Sequence, residues 1–348
     1  MPALERRLVV HMAAMGSETV RPERFLVTGA LGCIGSWTVK RLTGAGTAVV
    51  ATDLAGDAHR WRLIDPELEQ KVPLVPCDVT DAQAFQRLVS EQAITHIVHL
   101  AALQVPFARA QPMVGARVNV EGMAVVLEAA RNLRDQVRGL AFASSVAIYG
   151  PAERYPDGPL AHDAPAQPTT LYGAYKLADE WMSRVYERDY GLVSIGLRPD
   201  VVYGPGRDQG LTSSPTTAML AAAVGRPYHI GWGGVAGYQH AAEVADAFIA
   251  AARACEDGGG SNTYNLPTLV CSIENVVDAI REAVGGAPEI TFEAAPLPVP
   301  AVFDTSMVAR RLAGLTLMPL REGVRETVTT FRAAAAEGRL DVDRLLGS

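Results

Sequence analysis

The amino-acid sequence predicts an α/β protein: a doubly wound parallel sheet with a smaller mixed cap towards the carboxyl end. Three observations predict this fold class. From residue 24 onward, short apolar runs alternate with longer segments of helical spacing, which is the pattern of βαβ units. A glycine-rich turn directly follows the first of these runs. After residue 203 the alternation stops, and a stretch rich in Gly, Pro, Ser and Thr is typical of a binding excursion.

The predicted elements follow in chain order. Strands of the sheet are predicted at residues 25–28, 48–52, 72–75, 97–100, 140–143 and 193–197. Between them, the clearest helical patterns cover residues 118–133 and 172–188. Later elements are an apolar helix at 216–224, a helix returning to the sheet at 241–255, a short strand at 263–266, and helices from 272 onward around the proline-rich stretch 296–300.

These elements divide the chain of 348 residues into three parts. Residues 1–23 form an N-terminal extension, which we expect to be flexible and to which we assign no function. Residues 24–203, with 238–268 returning to them, form a nucleotide-binding domain. Residues 204–237 and 269–348 form a substrate-binding cap. The length is sufficient for one large α/β unit with a smaller appendage.

Composition excludes several function classes. The chain carries 31 Lys and Arg against 38 Asp and Glu, a net charge of −7, without a basic cluster. Nucleic acids and anionic membranes are bound by clustered basic residues, so neither partner is expected. The four cysteines form no CxxC pair, which argues against a zinc site or a disulfide framework and favours a cytoplasmic location. No apolar run approaches the roughly 20 residues of a membrane helix.

The turn after the first predicted strand has the spacing of a dinucleotide-binding loop. Gly29, Gly32 and Gly35 permit a tight turn, close approach to a pyrophosphate, and close packing of the next helix. Asp53 ends the second predicted strand, close to the position about 20 residues on where an acid binds the adenosine ribose. An acid there favours NAD, because the extra phosphate of NADP would meet like charge. The alternatives are that the three glycines only form structural turns and that Asp53 caps a helix or a turn.

Tyr172 and Lys176 are four residues apart and would share one face of a helix. A nearby ammonium favours the anionic form of a phenol, which makes the tyrosine a candidate acid/base. Ser145, within the run Ser-Ser-Val-Ala-Ile-Tyr-Gly, offers a hydroxyl that can orient a substrate oxygen. By itself, a Tyr and a Lys at this spacing more often form an ordinary surface pair.

The joint order of these motifs resembles the extended short-chain dehydrogenase/reductases, in particular their sugar epimerase/dehydratase group. Other shared segments are Cys77-Asp78-Val79, His99-Leu100-Ala101-Ala102, Val118-Asn119-Val120, and Arg198-Pro199-Asp200-Val201-Val202-Tyr203-Gly204-Pro205-Gly206. The resemblance covers the chain from residue 25 to the last helices. It implies a Rossmann domain, NAD as cofactor, a role in carbohydrate metabolism, and a homodimer paired through helices beginning near Pro112 and Tyr172.

The resemblance also implies roles for individual residues. Ser145, Tyr172 and Lys176 would form the catalytic set. The implied cofactor-binding residues are Gly29, Leu31, Gly32, Cys33, Ile34, Gly35, Asp53, Asp78, Val79, Leu100, Ala101, Ala102, Asn119, Tyr172, Lys176 and Pro199.

Substrate contacts are predicted at five positions: Gln104, Phe107, Ser145, Val146 and Arg207. Arg207 lies in a polar loop and can pair with a substrate carboxylate. The alternative is a solvated loop charge paired with Asp208.

Three reactions begin with hydride transfer between a substrate carbinol carbon and nicotinamide. Dehydration is disfavoured, because Val146 and Ala147 stand where that branch has an Asp-Glu pair. Nucleotide-sugar epimerases commonly carry an Arg shortly before Tyr-x-His, where this chain has Ala236. We therefore predict an NAD-dependent dehydrogenase of a small free sugar, sugar acid or related hydroxy compound.

Two other function classes remain open at this point. The first is a nucleotide-sugar epimerase that retains NAD between turnovers. The second is a redox sensor or scaffold that binds NAD without turnover, which the intact set of Ser145, Tyr172 and Lys176 disfavours.

Overall fold

The structure is a computed structural model that describes residues 22–54 and 56–347. Its main sheet is parallel, with the strand order β2-β1-β3-β4-β5-β9. These strands are β1 (Arg24–Thr28), β2 (Ala48–Thr52), β3 (His96–His99), β4 (Gly139–Ala143), β5 (Ile195–Arg198) and β9 (Asn262–Asn265). Chain order reverses between β1 and β3, which is where ligands bind in open sheets of this kind. The predicted doubly wound Rossmann arrangement is confirmed. The predicted extension lies outside the described residues except for residues 22 and 23.

Helices cover both faces of this sheet. In chain order they are α1 (Cys33–Gly44), α2 (His59–Ile64), α3 (Leu68–Lys71), α4 (Ala82–Glu91), α5 (Val105–Ala110), α6 (Pro112–Ala116), α7 (Gly122–Asn132), α8 (Leu171–Tyr190), α9 (Ser214–Ala223), α10 (Ala241–Ala254), α11 (Ile273–Val284), α12 (Ser306–Arg311), α13 (Leu320–Ala336) and α14 (Val342–Leu346). Side chains alternate along β1, so Phe25 and Val27 join the core that contains α1 and α10, while Leu26 joins the core that contains α4 and α7. Within the described residues, no helix is long and apolar enough to cross a membrane.

The predicted strand at residues 72–75 is wrong as a full strand. Only a single bridge, between Leu74 and Ala51, joins this segment to β2. Three backbone hydrogen bonds join it to the chain at β2: Ala51 N to Pro73 O, Val75 N to Ala51 O and Cys77 N to Asp53 O. Pro73 lacks the amide hydrogen that would continue the ladder towards the start of β2. The segment still runs along the edge of the sheet.

The cap contains two small sheets that sequence patterning missed. One has the order β10-β8-β6, formed by β6 (Val201–Tyr203), β8 (Val235–His240) and β10 (Leu269–Ser272). The other pairs β7 (Tyr228–Ile230) with β11 (Ile290–Phe292). The β10-β8-β6 sheet joins segments assigned to the two predicted domains, and one continuous apolar core extends through both. The domain boundaries therefore stay a prediction.

Candidate active site

A cavity of about 690 Å³ opens at the carboxyl ends of the central strands. Most predicted site residues line it. They are Gly29, Leu31, Gly32, Cys33, Ile34, Gly35, Asp53, Asp78, Val79, Leu100, Ala101, Ala102, Gln104, Ser145, Val146, Tyr172, Pro199 and Arg207. Three predicted residues do not reach its wall: Asn119 and Lys176 are buried behind it, and the Phe107 side chain is 47% exposed to solvent.

The glycine-rich turn forms a cradle that side chains would fill. Gly29 has a φ of +63°, and a Cβ there would lie 2.7 Å from the amide nitrogen of Ala101. A Cβ at Gly35 would lie 2.1 Å from the carbonyl oxygen of Gly29, so only glycine permits α1 to pack this closely. No side chain caps the N-terminus of α1, which leaves its first amides available to an anion. This cradle fits the pyrophosphate of a dinucleotide.

Asp53 joins the end of β2 to this turn. Its Oδ2 accepts a hydrogen bond from the amide of Leu31 at 2.9 Å, and its Oδ1 accepts one from Leu54 at 2.9 Å. Burial raises the pKa of Asp53, while these two hydrogen bonds oppose the increase. The carboxyl group lines the cavity at the predicted position for the adenosine ribose.

Asn119 supports the cofactor wall from behind. Its side-chain oxygen accepts from the Leu103 amide at 2.7 Å, and its amide group donates to the Leu103 carbonyl at 3.0 Å. The residue is fully buried in a π-helical turn, Arg117–Glu121, that precedes α7. Asn119 therefore fixes the backbone beside Ala102 and does not itself face the cavity. Its predicted contact with the cofactor stays a prediction.

The catalytic candidates lie where the 3₁₀ turn after β4 meets the start of α8. Ser145 Oγ accepts a hydrogen bond from the Ala147 amide at 3.1 Å. Tyr172 stands in the first turn of α8. A Cβ at Gly173 would lie 2.1 Å from the carbonyl oxygen of Ala147, so glycine lets the two segments touch. Sequence reasoning gave Gly173 no role, although it stands inside the Tyr-x-x-x-Lys motif.

Lys176 is buried beneath Tyr172. Its Nζ lies 5.9 Å from the centroid of the Tyr172 ring and donates a hydrogen bond to Asp179 Oδ2 at 3.1 Å. Burial raises the pKa of Asp179 to about 6, and the charge of Lys176 opposes that increase. Burial and the same ammonium lower the pKa of His99 to about 3, so this imidazole is neutral. The positive charge beside Tyr172 is thus shared with a carboxyl group.

A buried ion pair underlies the catalytic turn. Arg198 donates to both carboxylate oxygens of Glu180, at 2.8 and 2.6 Å, and Ser144 Oγ donates to the same carboxylate at 2.5 Å. Both charged side chains are nearly inaccessible to solvent. Sequence reasoning missed this pair. The only available signals were an acid four residues after Lys176 and an arginine before Pro199.

The loop after β6 forms part of the opposite wall. Asp208 accepts hydrogen bonds from Arg60 at 3.0 and 2.6 Å and lies 2.9 Å from His59 Nε2. The alternative pairing of Arg207 with Asp208 is therefore wrong. Instead, Arg207 Nη2 donates to Thr212 Oγ1 at 2.9 Å.

Comparison with known proteins agrees with this geometry. Residues 25–266 match the NAD-dependent epimerase/dehydratase family. A UDP-glucose 4-epimerase of Mycolicibacterium smegmatis is 32% identical over 318 residues, covering 89% of this chain and 98% of the relative. A UDP-glucose 4-epimerase of Thermus thermophilus, solved in complex with NAD, has a TM-score of 0.75 and 30% identity, covering 89% of this chain and 99% of that one. A partial consensus L-threonine 3-dehydrogenase shares the fold at 23% identity, with a TM-score of 0.75 over 89% of this chain and 99% of its own.

Proposed function

The chain belongs to the NAD-dependent epimerase/dehydratase family, and we propose that it is a dehydrogenase of a small free sugar, sugar acid or related hydroxy compound. The observation that carries this proposal is the cavity itself. Ser145 and Tyr172 line it together with the glycine-rich cradle, and Lys176 lies behind the tyrosine ring. That arrangement suits the transfer of a proton from a substrate hydroxyl beside a bound nicotinamide.

Each catalytic side chain has a distinct part in this reaction. Ser145 Oγ accepts from a backbone amide, so its own hydrogen is free to donate to the substrate oxygen. The Lys176 ammonium stabilises the phenolate form of Tyr172. The phenolate takes the substrate hydroxyl proton as the carbinol is oxidised and becomes a neutral phenol. Bound NAD would supply the hydride acceptor. Asn119 holds the wall at Leu103 in place.

The cap supports a substrate without a nucleoside diphosphate. A diphosphate is usually bound by arginine or lysine donors. The cap wall of the cavity includes the apolar residues Leu297, Pro298 and Val299, besides two arginines, Arg207 and Arg344. Ala236, which stands where nucleotide-sugar epimerases commonly carry an arginine, is buried within β8. Arg60, also on the wall, is already paired with Asp208.

A nucleotide-sugar 4-epimerase is the second candidate. It is favoured by the UDP-glucose 4-epimerases among the relatives, two of which are 32% and 29% identical to this chain. The same three catalytic residues would serve it. The difference would be that the hydride returns to the substrate and that NAD is retained between turnovers.

The absorbance of reduced nicotinamide separates these candidates. Purified protein with excess NAD is offered free aldoses, sugar acids and small polyols, alongside nucleotide sugars. Steady accumulation with a free compound, absent in Tyr172→Phe, supports the dehydrogenase. The epimerase would replace the dehydrogenase if three results came together. No compound in the panel would increase the absorbance, the protein as isolated would contain NAD, and the mixture would contain isomerised nucleotide sugar.

We also propose a homodimer through α6 and α8. Leu171, Trp181 and Val185 follow helical spacing along α8 and are 45%, 58% and 36% exposed. Met113 and Val114 of α6 are 82% and 44% exposed. An exposed apolar surface of this kind is typical of a protein interface.

A further inference from the structure

The loop at residues 205–212 is tied directly to the glycine-rich turn. Trp37 of α1 donates from Nε1 to the Pro205 carbonyl at 2.9 Å. Arg60 donates to the Gly206 carbonyl at 3.1 Å and, from another nitrogen of the same guanidinium, to the Leu31 carbonyl at 2.8 Å. The loop is therefore held by hydrogen bonds to α1 and, through Arg60, to the turn that forms the cradle.

Within this loop, Arg207 carries a charge that no described carboxylate neutralises. The neighbouring Asp208 is occupied by Arg60 and His59. Arg207 has one hydrogen bond, to the neutral hydroxyl of Thr212, and its Nε is buried without a hydrogen-bond partner among the described residues. Arg207 as a whole is half-buried, but a buried donor such as its Nε is costly unless an acceptor completes it.

The position of Arg207 indicates which anion this is. The side chains of Arg207 and Gln104 meet at Gly210: a Cβ on Gly210 would lie 3.5 Å from Arg207 Nη2 and 2.4 Å from Gln104 Oε1. On the other side, Arg207 lines the same cavity as Cys33, the first residue of α1. Burial raises the pKa of Cys33, and the Arg207 charge opposes that increase. Arg207 thus lines one cavity together with Gln104 and the uncapped N-terminus of α1.

We infer that Arg207 binds the pyrophosphate of NAD, in place of the substrate carboxylate predicted for it from sequence. A pyrophosphate carries two negative charges, which suit the planar donor pair of an arginine facing a helix N-terminus. The inference rests on NAD as the cofactor and is independent of whether the reaction is a dehydrogenation or an epimerisation. As a consequence, substrate recognition does not use the Arg207 charge.

Calorimetric titration of the full chain without substrate tests this role. The probes are NAD, ADP-ribose, which keeps the pyrophosphate, and adenosine, which lacks it. Arg207→Met is expected to weaken NAD and ADP-ribose by roughly 10- to 100-fold, the range for a lost charge-assisted hydrogen bond, and to leave adenosine within about twofold. The affinity of the variant for ADP-ribose should also depend less on salt.

Two further variants sharpen the test. Arg226→Met removes an arginine from the cap surface, where it pairs with Asp343, and is expected to bind all three probes as the parent does. Thr212→Val removes the hydrogen bond that orients Arg207 and is expected to weaken ADP-ribose about 2- to 10-fold. It carries the test if Arg207→Met does not fold.

Unchanged ADP-ribose affinity in Arg207→Met would overturn the inference. If Arg207→Met does not fold, unchanged ADP-ribose affinity in Thr212→Val would overturn it. A rise confined to the KM of a carboxylate substrate would return Arg207 to substrate recognition. Because the binding titrations measure no turnover, failure of every sugar in the activity panel leaves their result interpretable.

Discussion

Replacing Arg198 with methionine tests how the buried charges beneath the active site are held. Arg198 and Glu180 are only 4% and 2% exposed. Besides its two bonds to Glu180, Arg198 donates to Tyr149 Oη at 2.7 Å and to Asn265 Oδ1 at 3.2 Å. Methionine keeps most of the apolar stem but none of the donors. The Glu180 carboxylate would then retain only Ser144 as a hydrogen-bond donor among the described residues.

The expected cost follows from this burial. Removing one partner of a buried pair typically costs about 3–5 kcal/mol, because the other charge stays out of water without compensation. This cost is a large fraction of the total unfolding free energy of a typical protein, which is about 5–15 kcal/mol. A double variant, Glu180→Met with Arg198→Met, should recover much of the loss, since no charge is then left unpaired.

Urea unfolding followed by circular dichroism measures the effect. The difference in unfolding free energy between the parent and Arg198→Met should become smaller as the pH falls from about 8 to 6. The reason is that a buried carboxyl group without a cation is more stable when protonated. Arg188→Met, on the exposed side of α8, is the matched control. Its urea midpoint should equal that of the parent, because exposed ion pairs contribute little to stability. A loss below about 1 kcal/mol for Arg198→Met, or a double variant as unstable as the single one, would refute this reasoning.

Three other expectations concern the reaction, pH and assembly. Tyr172→Phe should lower kcat by about 100-fold or more and leave NAD affinity within about twofold; a full rate would contradict its acid/base role. Burial raises the pKa of Asp200 to about 8. The folded state therefore holds a proton that an unfolded Asp releases near pH ~4, and stability should fall as the pH rises from about 4 to 8. In urea unfolding, Asp200→Asn should lose less stability than the parent between pH about 4 and 8. Parallel curves of unfolding free energy against pH for the two proteins would contradict a protonated Asp200. Trp181→Glu should sediment as a monomer at micromolar concentration where the parent sediments as a dimer; a monomeric parent would argue against the α6 and α8 interface.

The motifs that sequence reasoning recognised are those whose chemistry is local. The glycine-rich turn, Asp53 at a strand end, and Tyr172 one turn before Lys176 each depend on a few consecutive residues. Their backbone conformation follows from residue type: glycine where φ is positive, and apolar runs where strands are buried on both faces. For this reason the strand and helix series, the nucleotide site and the family could all be predicted from the printed chain.

Elements with weak local signals were missed. The strands β6, β7, β8, β10 and β11 are three to six residues long, and β8 contains a glycine and a glutamine where a regular strand pattern is expected. They form only because partners distant in the chain lie beside them. The opposite error occurred at residues 72–75, where an apolar run predicted a full strand and the structure has a single bridge beside Pro73.

The sequence alone thus determined the fold class, the cofactor and 18 of the residues that line the cavity. Only the tertiary structure decided how the charges are paired. Asp208 bonds to Arg60, 148 positions away, and not to its neighbour Arg207. Glu180 of α8 bonds to Arg198 at the end of β5. Adjacent residues often point in different directions, and a buried charge bonds to whatever opposite charge the packing brings within reach. That proximity is a property of the assembled elements, so no local pattern encodes it.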